Sequence, residues 1–456
     1  MRTLKTKVCI IGAGAGGIGC AYRLIKHGIK TVIADKNPDF GGTMVYSGVD
    51  GWEPGVSLDG VHRLIADELM KMPSGGHVTE VVPNCNLFYP ENGWNWDNQS
   101  FSKYPWGLCL PTGKTYEETL GRCTFLRGEN GTMKRFQFDG HLFPKAVRNV
   151  FEPFKDNLTE FFGYSFEECE TSDGKIISAI ISDGKEKIKI EADFFVDCSG
   201  DIVLARSAGC KVAFGTESKD EYNEPCASVK SGNVNAVSYV FRVTPKEEKG
   251  VDEIPEEYRN ADIDPWKSER MKKTVTFMAQ YPNGDLSLNM LPTMEGKEYF
   301  ALGEKADFVG KARVYHYWNY LQSEKGLNTY RLLEIYSAGI RESYRLVGKY
   351  VLTENDVRAG ILCQPKKGKT AALGDHALDV HGEGGMCREL TYPYEIPIEC
   401  TETNEFDNLF VACRGASFSH IASASTRLSR TLMSLGEGVG EHLAVQCKMQ
   451  NLIFRG

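Results

Sequence analysis

The chain has 456 residues, enough for two or three domains' worth of core, and its 41% hydrophobic and 25% charged residues are those of an ordinary globular protein. A formal net charge of −8 with no basic run argues against a nucleic-acid partner, and no stretch reaches the roughly 18 consecutive apolar residues of a transmembrane helix. The 14 cysteines are scattered without a CxxC pair, which suits reduced, buried thiols in a cytoplasmic protein and speaks against a disulfide frame or a metal site.

Val8 to Ile11 read as a buried strand that runs straight into Gly12-Ala13-Gly14-Ala15-Gly16-Gly17. This is the spacing of a dinucleotide-binding loop. Gly12 allows a tight turn, Gly14 lacks the Cβ that would block a pyrophosphate, and Gly17 lets the following helix press on the strand. Arg2, Lys5 and Lys7 precede the apolar run, but the run is short and glycine-broken, unlike a signal peptide. Ile18, Ala21, Tyr22, Leu24 and Ile25 give the helix an apolar face, and it stops near Gly28. Ile29 to Ala34 form a second strand ending on Asp35, an acid placed to accept hydrogen bonds from a ribose; Lys36 and then Gly41-Gly42-Thr43 follow.

Residues 86–135 are irregular and aromatic-rich, with Trp94, Trp96, Tyr104 and Trp106, and read as an inserted segment. Apolar residues from Val147 to Phe162 recur at helical spacing, which predicts a helix over 144–162. A hairpin with a Ser182-Asp183-Gly184 turn comes next, then a separate strand leading into Ser199-Gly200-Asp201. Residues 235–300 alternate strand-like runs with turns, an antiparallel pattern, and a long helix is predicted over about 304–324 with a stripe of Phe308, Ala312, Tyr315, Trp318 and Leu321-Gln322. The tail returns to a strand over 409–413 and then a helix through Gly436, Gly438 and Gly440. The expected architecture is α/β: a Rossmann-like parallel sheet with helices, carrying an inserted antiparallel-sheet domain.

Five ordered motifs, GAGAGG, ADKNPDFGGTMVYSGV, FFVDCSGDIVLARSAG, IRESYRLVGKYVLTENDV and NLFVACRGASFSHIASASTRLSRTLMSLGEGVGEHLA, resemble the FAD-dependent oxidoreductase family of the glutathione-reductase-like flavoprotein superfamily, related to the fumarate reductase and succinate dehydrogenase flavoproteins. The resemblance covers most of the chain apart from 86–135. It implies a discontinuous FAD-binding domain (1–85, 136–225 and 396–456) and a substrate or capping domain (226–395). It also implies hydride transfer between a small organic substrate and flavin N5. Gly12, Gly14 and Gly17, with Ala13, Ala15 and Gly16, would hold the pyrophosphate, and Asp35 with Lys36 the adenosine ribose. Gly41, Gly42, Thr43 and Met44 would lie next to the isoalloxazine, Ser199, Gly200 and Asp201 along the ribityl or pyrophosphate, and Arg414 with Thr426 at the far end of the flavin. Relatives often carry Glu where this chain has Asp35, and Ala-Gly-Arg where it has Ala412-Cys413-Arg414. No His occurs in 36–50, so noncovalent FAD is expected. No second strand–GxGxxG–helix unit follows residue 60, so no nicotinamide domain is expected, and the electron donor or acceptor is left unidentified.

Flavin chemistry on a C–H or C=C bond also needs a proton donor or acceptor. The resemblance places His420 beside the flavin as acid or base; the alternative is a helix-entry His bonded to backbone. Arg341 and Arg345, one turn apart on a predicted helix, suit a substrate carboxylate or flavin O2, or else a salt bridge with Glu342. Arg427 suits negative charge at flavin N1, or else an ordinary salt bridge. His381 sits in a glycine-flanked loop that can reach a pocket or stay solvated. The glycines near 436–440 permit close packing, on the cofactor or on another helix. Two further functions stay open, a non-redox flavoenzyme with structural FAD and a tRNA-modifying flavoprotein; the acidic balance disfavours the second.

Overall fold

The structure, a computed structural model, describes residues 1–52, 60–80, 134–365, 368–388, 390 and 392–453. The expected insertion, with its four aromatics Trp94, Trp96, Tyr104 and Trp106, lies outside them save for its last two residues. Among the described residues no helix is long and apolar enough to cross a membrane.

Strand β1 (Arg2–Ile11) buries Val8 to Ile11 on both faces, as a parallel strand covered by helices must. The chain turns at Gly12, with φ +105°, where a Cβ would stand 2.4 Å from the Cys198 backbone, and enters α1 (Ala15–Lys26) and then β2 (Thr31–Asp35). The helix predicted over 144–162 divides. α2 (Phe143–Phe151) gives way to a 3-10 stretch, Glu152–Asn157, and Leu158–Phe162 is a strand, β3, parallel to β2. Pro153 cannot donate the next helical hydrogen bond, and Phe162 is taken up by the ring of Phe40, 4.8 Å away between centroids. The hairpin forms as β4 (Ser165–Ser172) and β5 (Lys175–Ser182), followed by β6 (Lys187–Asp197). The strand expected after the hairpin is the second half of β6, a continuous 11-residue strand that pairs with β5 at its start and with Leu409–Val411 at its end. The resulting seven-stranded sheet runs β3-β2-β1-β6-β5-β4, with Leu409–Val411 beside β6.

A second, four-stranded sheet is antiparallel: β7 (Val240–Pro245), β8 (Val275–Gln280), β9 (Leu286–Leu291) and β10 (Tyr330–Ile335), in the order β8-β9-β7-β10. Helix α3 (Ala306–Glu324) covers one face and shares an apolar core with it through Ala312, Tyr317, Trp318 and Leu321 against Phe241 and Leu288. Phe308 and Tyr315, expected in the buried stripe, lie outward and stack on Tyr258. The other face of the sheet looks toward the parallel-sheet unit.

The chain closes with α4 (His420–Thr426) and α5 (Ser429–Ile453), the latter against α1. A Cβ at Gly436 would meet the Gly16 carbonyl at 1.9 Å, so the glycines of this stretch serve helix packing and not the cofactor. The segment around Arg341 to Arg345 is not a helix. Arg345-Leu346 pair as a short strand with Val212-Ala213, and the Leu346 and Val347 amides donate to Gly415 and Lys211 (2.8 and 2.9 Å). Those long-range bonds replace the intrahelical ones that the local spacing suggested.

Candidate active site

Asp197, at the end of β6, is wholly buried, and its carboxylate accepts from the Ser199 amide and hydroxyl (3.0 and 2.7 Å) and from the Ala205 amide (3.0 Å). It thereby shapes the Ser199-Gly200-Asp201 turn beside the start of α1. Asp201 receives Arg414 Nη2 at 2.6 Å and the Ser343 hydroxyl at 2.7 Å. Burial pushes the Asp201 carboxyl up, but Arg414 and Ser343 outweigh it and hold it below the usual range. Across the loop, Asp35 accepts from the Ala13 and Asn37 amides at 2.6 and 2.7 Å, which fixes its carboxylate at the tip of β2.

These elements open onto one cavity of about 1130 Å³, larger than the roughly 300–1,000 Å³ of an ordinary small-molecule pocket. Of the residues expected to hold a cofactor, Gly12, Gly14, Ala15, Gly16, Asp35 and Lys36 line it. So do Gly42, Thr43, Ser199, Gly200, Asp201 and Arg414. Ala13, Gly17, Gly41, Met44 and Thr426 stand behind that wall; a Cβ at Gly17, for instance, would meet the Gly12 carbonyl at 2.0 Å.

The cavity fits FAD on three counts. The N-terminus of α1 carries no side-chain cap and no acid in its first turn, so its free amides face the cavity, as a pyrophosphate needs. A Cβ at Gly14 would meet nothing closer than the Gly42 Cα at 3.8 Å, so it would project into space the loop leaves clear. Arg414 and Arg427 bring two guanidiniums to the same wall, cations that an anionic group of a bound cofactor or substrate can meet.

Farther along its wall the cavity is lined by Arg341, Asp379, His381 and Arg427. Arg427 Nη2 donates to the Asp379 carboxylate (3.0 Å), and that carboxylate also receives His381 Nε2 (2.7 Å). Arg341 Nη1 is held by the Ala236 carbonyl and Ser238 hydroxyl at 2.9 and 3.0 Å. Burial first, and Arg341 second, push His381 down to about 4, so it is neutral at pH 7 despite Asp379. Burial presses the Arg341 guanidinium downward too, reinforced by Arg427, while Asp379 is held well below the usual carboxylate range by His381 and Arg427 in spite of its burial. The expected loop histidine therefore reaches the cavity.

The structure does not bring His420 or Arg345 to the cavity wall. Arg345 is wholly buried, donating to Glu342, to Glu217 (2.5 Å) and to the Phe418 and Gly215 carbonyls (3.1 and 2.7 Å). His420 Nδ1 lies 2.9 Å from Glu342, and its own amide donates to Glu217 at 2.9 Å. Burial raises Glu342, but His420 and Arg345 bring it down to about 2. This network reaches the cavity only at second hand. Glu342 accepts from the Asn235 amide and side chain (both 2.9 Å), and Asn235 Oδ1 in turn accepts the His381 amide (2.9 Å).

Sequence reasoning missed Asp379 and His376, which also lines the cavity. The signal for Asp379 was its place two residues before His381, the shortest spacing at which a loop acid can orient a ring; His376 offered none.

A profile of the family described as FAD dependent oxidoreductase matches residues 7–455. Among curated proteins, the chain is 50% identical to the glutamate synthase [NADPH] small chain of Halomonas elongata over 40 residues, 9% of this chain and 8% of that protein. It is 34% identical to the 3-oxosteroid 1-dehydrogenase of Rhodococcus opacus over 56 residues (12% and 11%), and 37% identical to the thiamine thiazole synthase of Sulfolobus acidocaldarius over 75 residues (16% and 24%). The chain thus spans less than a quarter of each of these relatives. Among solved structures, it is similar to a geranylgeranyl bacteriochlorophyll reductase-like protein of Thermoplasma acidophilum (12% identity, 98% of this chain and 80% of that one, TM-score 0.47). It is also similar to the L-proline dehydrogenase of P. horikoshii (10% identity, 99% and 95%, TM-score 0.40).

Proposed function

Because the chain belongs to the FAD-dependent oxidoreductase family, we propose that it exchanges a hydride with a small organic anion, bound between the flavin and the Arg341–Asp379–His381–Arg427 group. The observation that supports this reading is that two guanidiniums, a carboxylate and a neutral imidazole share one cavity with the glycine loop. FAD, when bound, supplies at flavin N5 a site that gives or takes hydride. Gly14 and the free amides of α1 hold its pyrophosphate, Asp35 its ribose, and Arg414 a second anionic or carbonyl group.

Arg341 and Arg427 orient the substrate's acidic group, the planar fork of each matching a carboxylate. Asp379 accepts from His381 Nε2, which leaves Nδ1 free to accept a proton from the substrate as hydride departs, or to return it in the reverse direction. An anion on Arg341 offsets the positive charge that depresses His381, so substrate binding itself makes the imidazole a better base. His420 and Arg345 hold Glu342, and through it the Asn235 loop, in place behind the cavity wall.

The test is the flavin itself. Purified protein is expected to carry flavin absorbance, and anaerobic mixing with a panel of organic acids, amides and amines is expected to bleach it with the acids alone. Arg427→Met is expected to raise KM for an acid by about tenfold or more, the loss of one charge-assisted hydrogen bond. A protein that takes up no flavin after gentle purification and FAD addition, or one bleached equally by acids and amines, overturns the reading.

A further inference from the structure

The hairpin that carries Asp379 and His381, Leu378–Val380 paired with Met386–Arg388, is a two-stranded sheet joined to neither large sheet among the described residues. A lone two-stranded ribbon is marginal in water, so its place at the cavity depends on what grips it from outside. Arg427 holds it at Asp379 (3.0 Å), and Glu295 accepts the Glu383 amide at its tip (2.8 Å). Between these points the grip is on the main chain of His381. The His381 amide donates to Asn235 Oδ1 at 2.9 Å, and its carbonyl accepts from the Ala236 amide at 3.0 Å. The Ala236 carbonyl also receives Arg341 Nη1 at 2.9 Å, so one dipeptide registers the imidazole against the guanidinium. Asn235 is wholly buried, and its neighbours leave its amide a single orientation. Glu342, held ionised by His420 and Arg345, can only accept, and it takes both the Asn235 amide and Nδ2 at 2.9 Å. A main-chain N–H can only donate. Nδ2 must therefore face Glu342 and Oδ1 must face His381.

We propose that Asn235 is a positioning residue: it holds the His381 imidazole in the cavity wall at a fixed distance from Arg341, and so fixes where a proton leaves the substrate relative to its acidic group. This rests on His381 being the acid or base of the hydride-transfer reading. The charged groups that face the ring are Asp379 on its own hairpin, with His376 beside Asp379, and Arg341 and Arg427 from the segments packed against it. Glu295, paired with Arg270, stands at the hairpin's tip. Without the Asn235 side chain the hairpin keeps its two outer grips and loosens between them. The ring then gains water and moves off Arg341, and both changes favour the imidazolium.

The experiment follows the ring signals of histidine-labelled, FAD-loaded enzyme by NMR from pH 5 to 8, the His381 signal being the one absent from His381→Gln. In wild type this signal is expected to stay nearly flat, since burial and Arg341 push His381 down to about 4. In Asn235→Ala it is expected to titrate with a midpoint between about pH 5 and the ordinary 6.5. Glu342 keeps Arg345, His420 and the main-chain amide of residue 235 in that variant, so folding and flavin are expected to persist. Asn235→Asp keeps an acceptor for the His381 amide, and its second oxygen shares one proton with Glu342, because two carboxylates so close do not both ionise. Its His381 signal is expected to stay flat as in wild type. A purely structural need for Asn235 predicts the opposite order, since a carboxyl beside Glu342 is a worse neighbour than a methyl group. A wild-type His381 that titrates in this range, an Asn235→Ala signal that stays flat, an Asn235→Asp signal that titrates, or an Asn235→Ala protein that does not fold and bind FAD overturns the proposal. Failure of the hydride-transfer reading appears separately, as wild type without flavin or as bleaching indifferent to substrate charge.

Discussion

Replacing Gly14 by alanine separates the cofactor's requirement from the fold's. The residue has ordinary backbone angles, φ −76° and ψ −163°, so alanine adopts them without strain. Its new methyl group would meet no protein atom nearer than the Gly42 Cα at 3.8 Å. Alanine is a poorer helix N-cap than glycine, which costs several tenths of a kcal/mol, and it reduces the freedom of the unfolded chain, which returns about 0.4–1 kcal/mol. The apoprotein should therefore keep its stability to within about 1 kcal/mol. The methyl group does enter the space in front of the α1 amides, and holding a pyrophosphate away from one or two of them forfeits about 1.5–3 kcal/mol each, a ten- to hundredfold or greater loss of FAD affinity. Gly17→Ala is the contrast. Its methyl group would stand 2.0 Å from the Gly12 carbonyl, so α1 must retreat from β1 by about 1 Å, and a well-packed interior resists this at a cost of about 1–3 kcal/mol or more. The assay is thermal or denaturant unfolding of apoprotein together with FAD titration by flavin fluorescence quenching. Undiminished FAD affinity in Gly14→Ala, or apoprotein destabilised as much as in Gly17→Ala, would refute the reasoning.

Arg345→Met should behave as a lesion of the fold: it strands Glu217 and Glu342 in the interior without their cation, at a cost of about 3–5 kcal/mol in denaturant unfolding, whereas the bleaching rate per bound flavin should change little. A rate that collapses with stability intact would return Arg345 to the chemistry. His381 titrates near 6.5 in the unfolded chain and is pushed down to about 4 in the folded one, so between those values the unfolded state binds more protons. Its contribution to stability is complete above pH 6.5 and is lost as pH falls through 4. His381→Gln should flatten the unfolding free energy across that window, and an unchanged slope counts against the placement of His381.

The first strand, the glycine loop and the acid of β2 were legible in the sequence because each depends on neighbours within about thirty residues: a buried run, a turn that only glycine makes, a helix start and a strand end. The Ser199-Gly200-Asp201 turn and Arg414 were legible as motifs, and the sheet joined them to the loop because β6 lies next to β1 and Leu409–Val411 next to β6. What local spacing could not settle was the fate of charged side chains far apart in the chain. Arg341 and Arg345 looked like one helical face; in the fold they part, one to the cavity with Arg427 and the other to Glu217 and Glu342. His420 and His381 were read as two candidates of the same kind, and burial divided them, since an imidazole is available to a ligand only where the tertiary structure leaves a cavity beside it. Sequence determined that a dinucleotide would be held, because cradling a phosphate is a local property of backbone. Only the tertiary structure decided which acids and bases face the cavity, because that choice is made by packing between segments far apart in the chain.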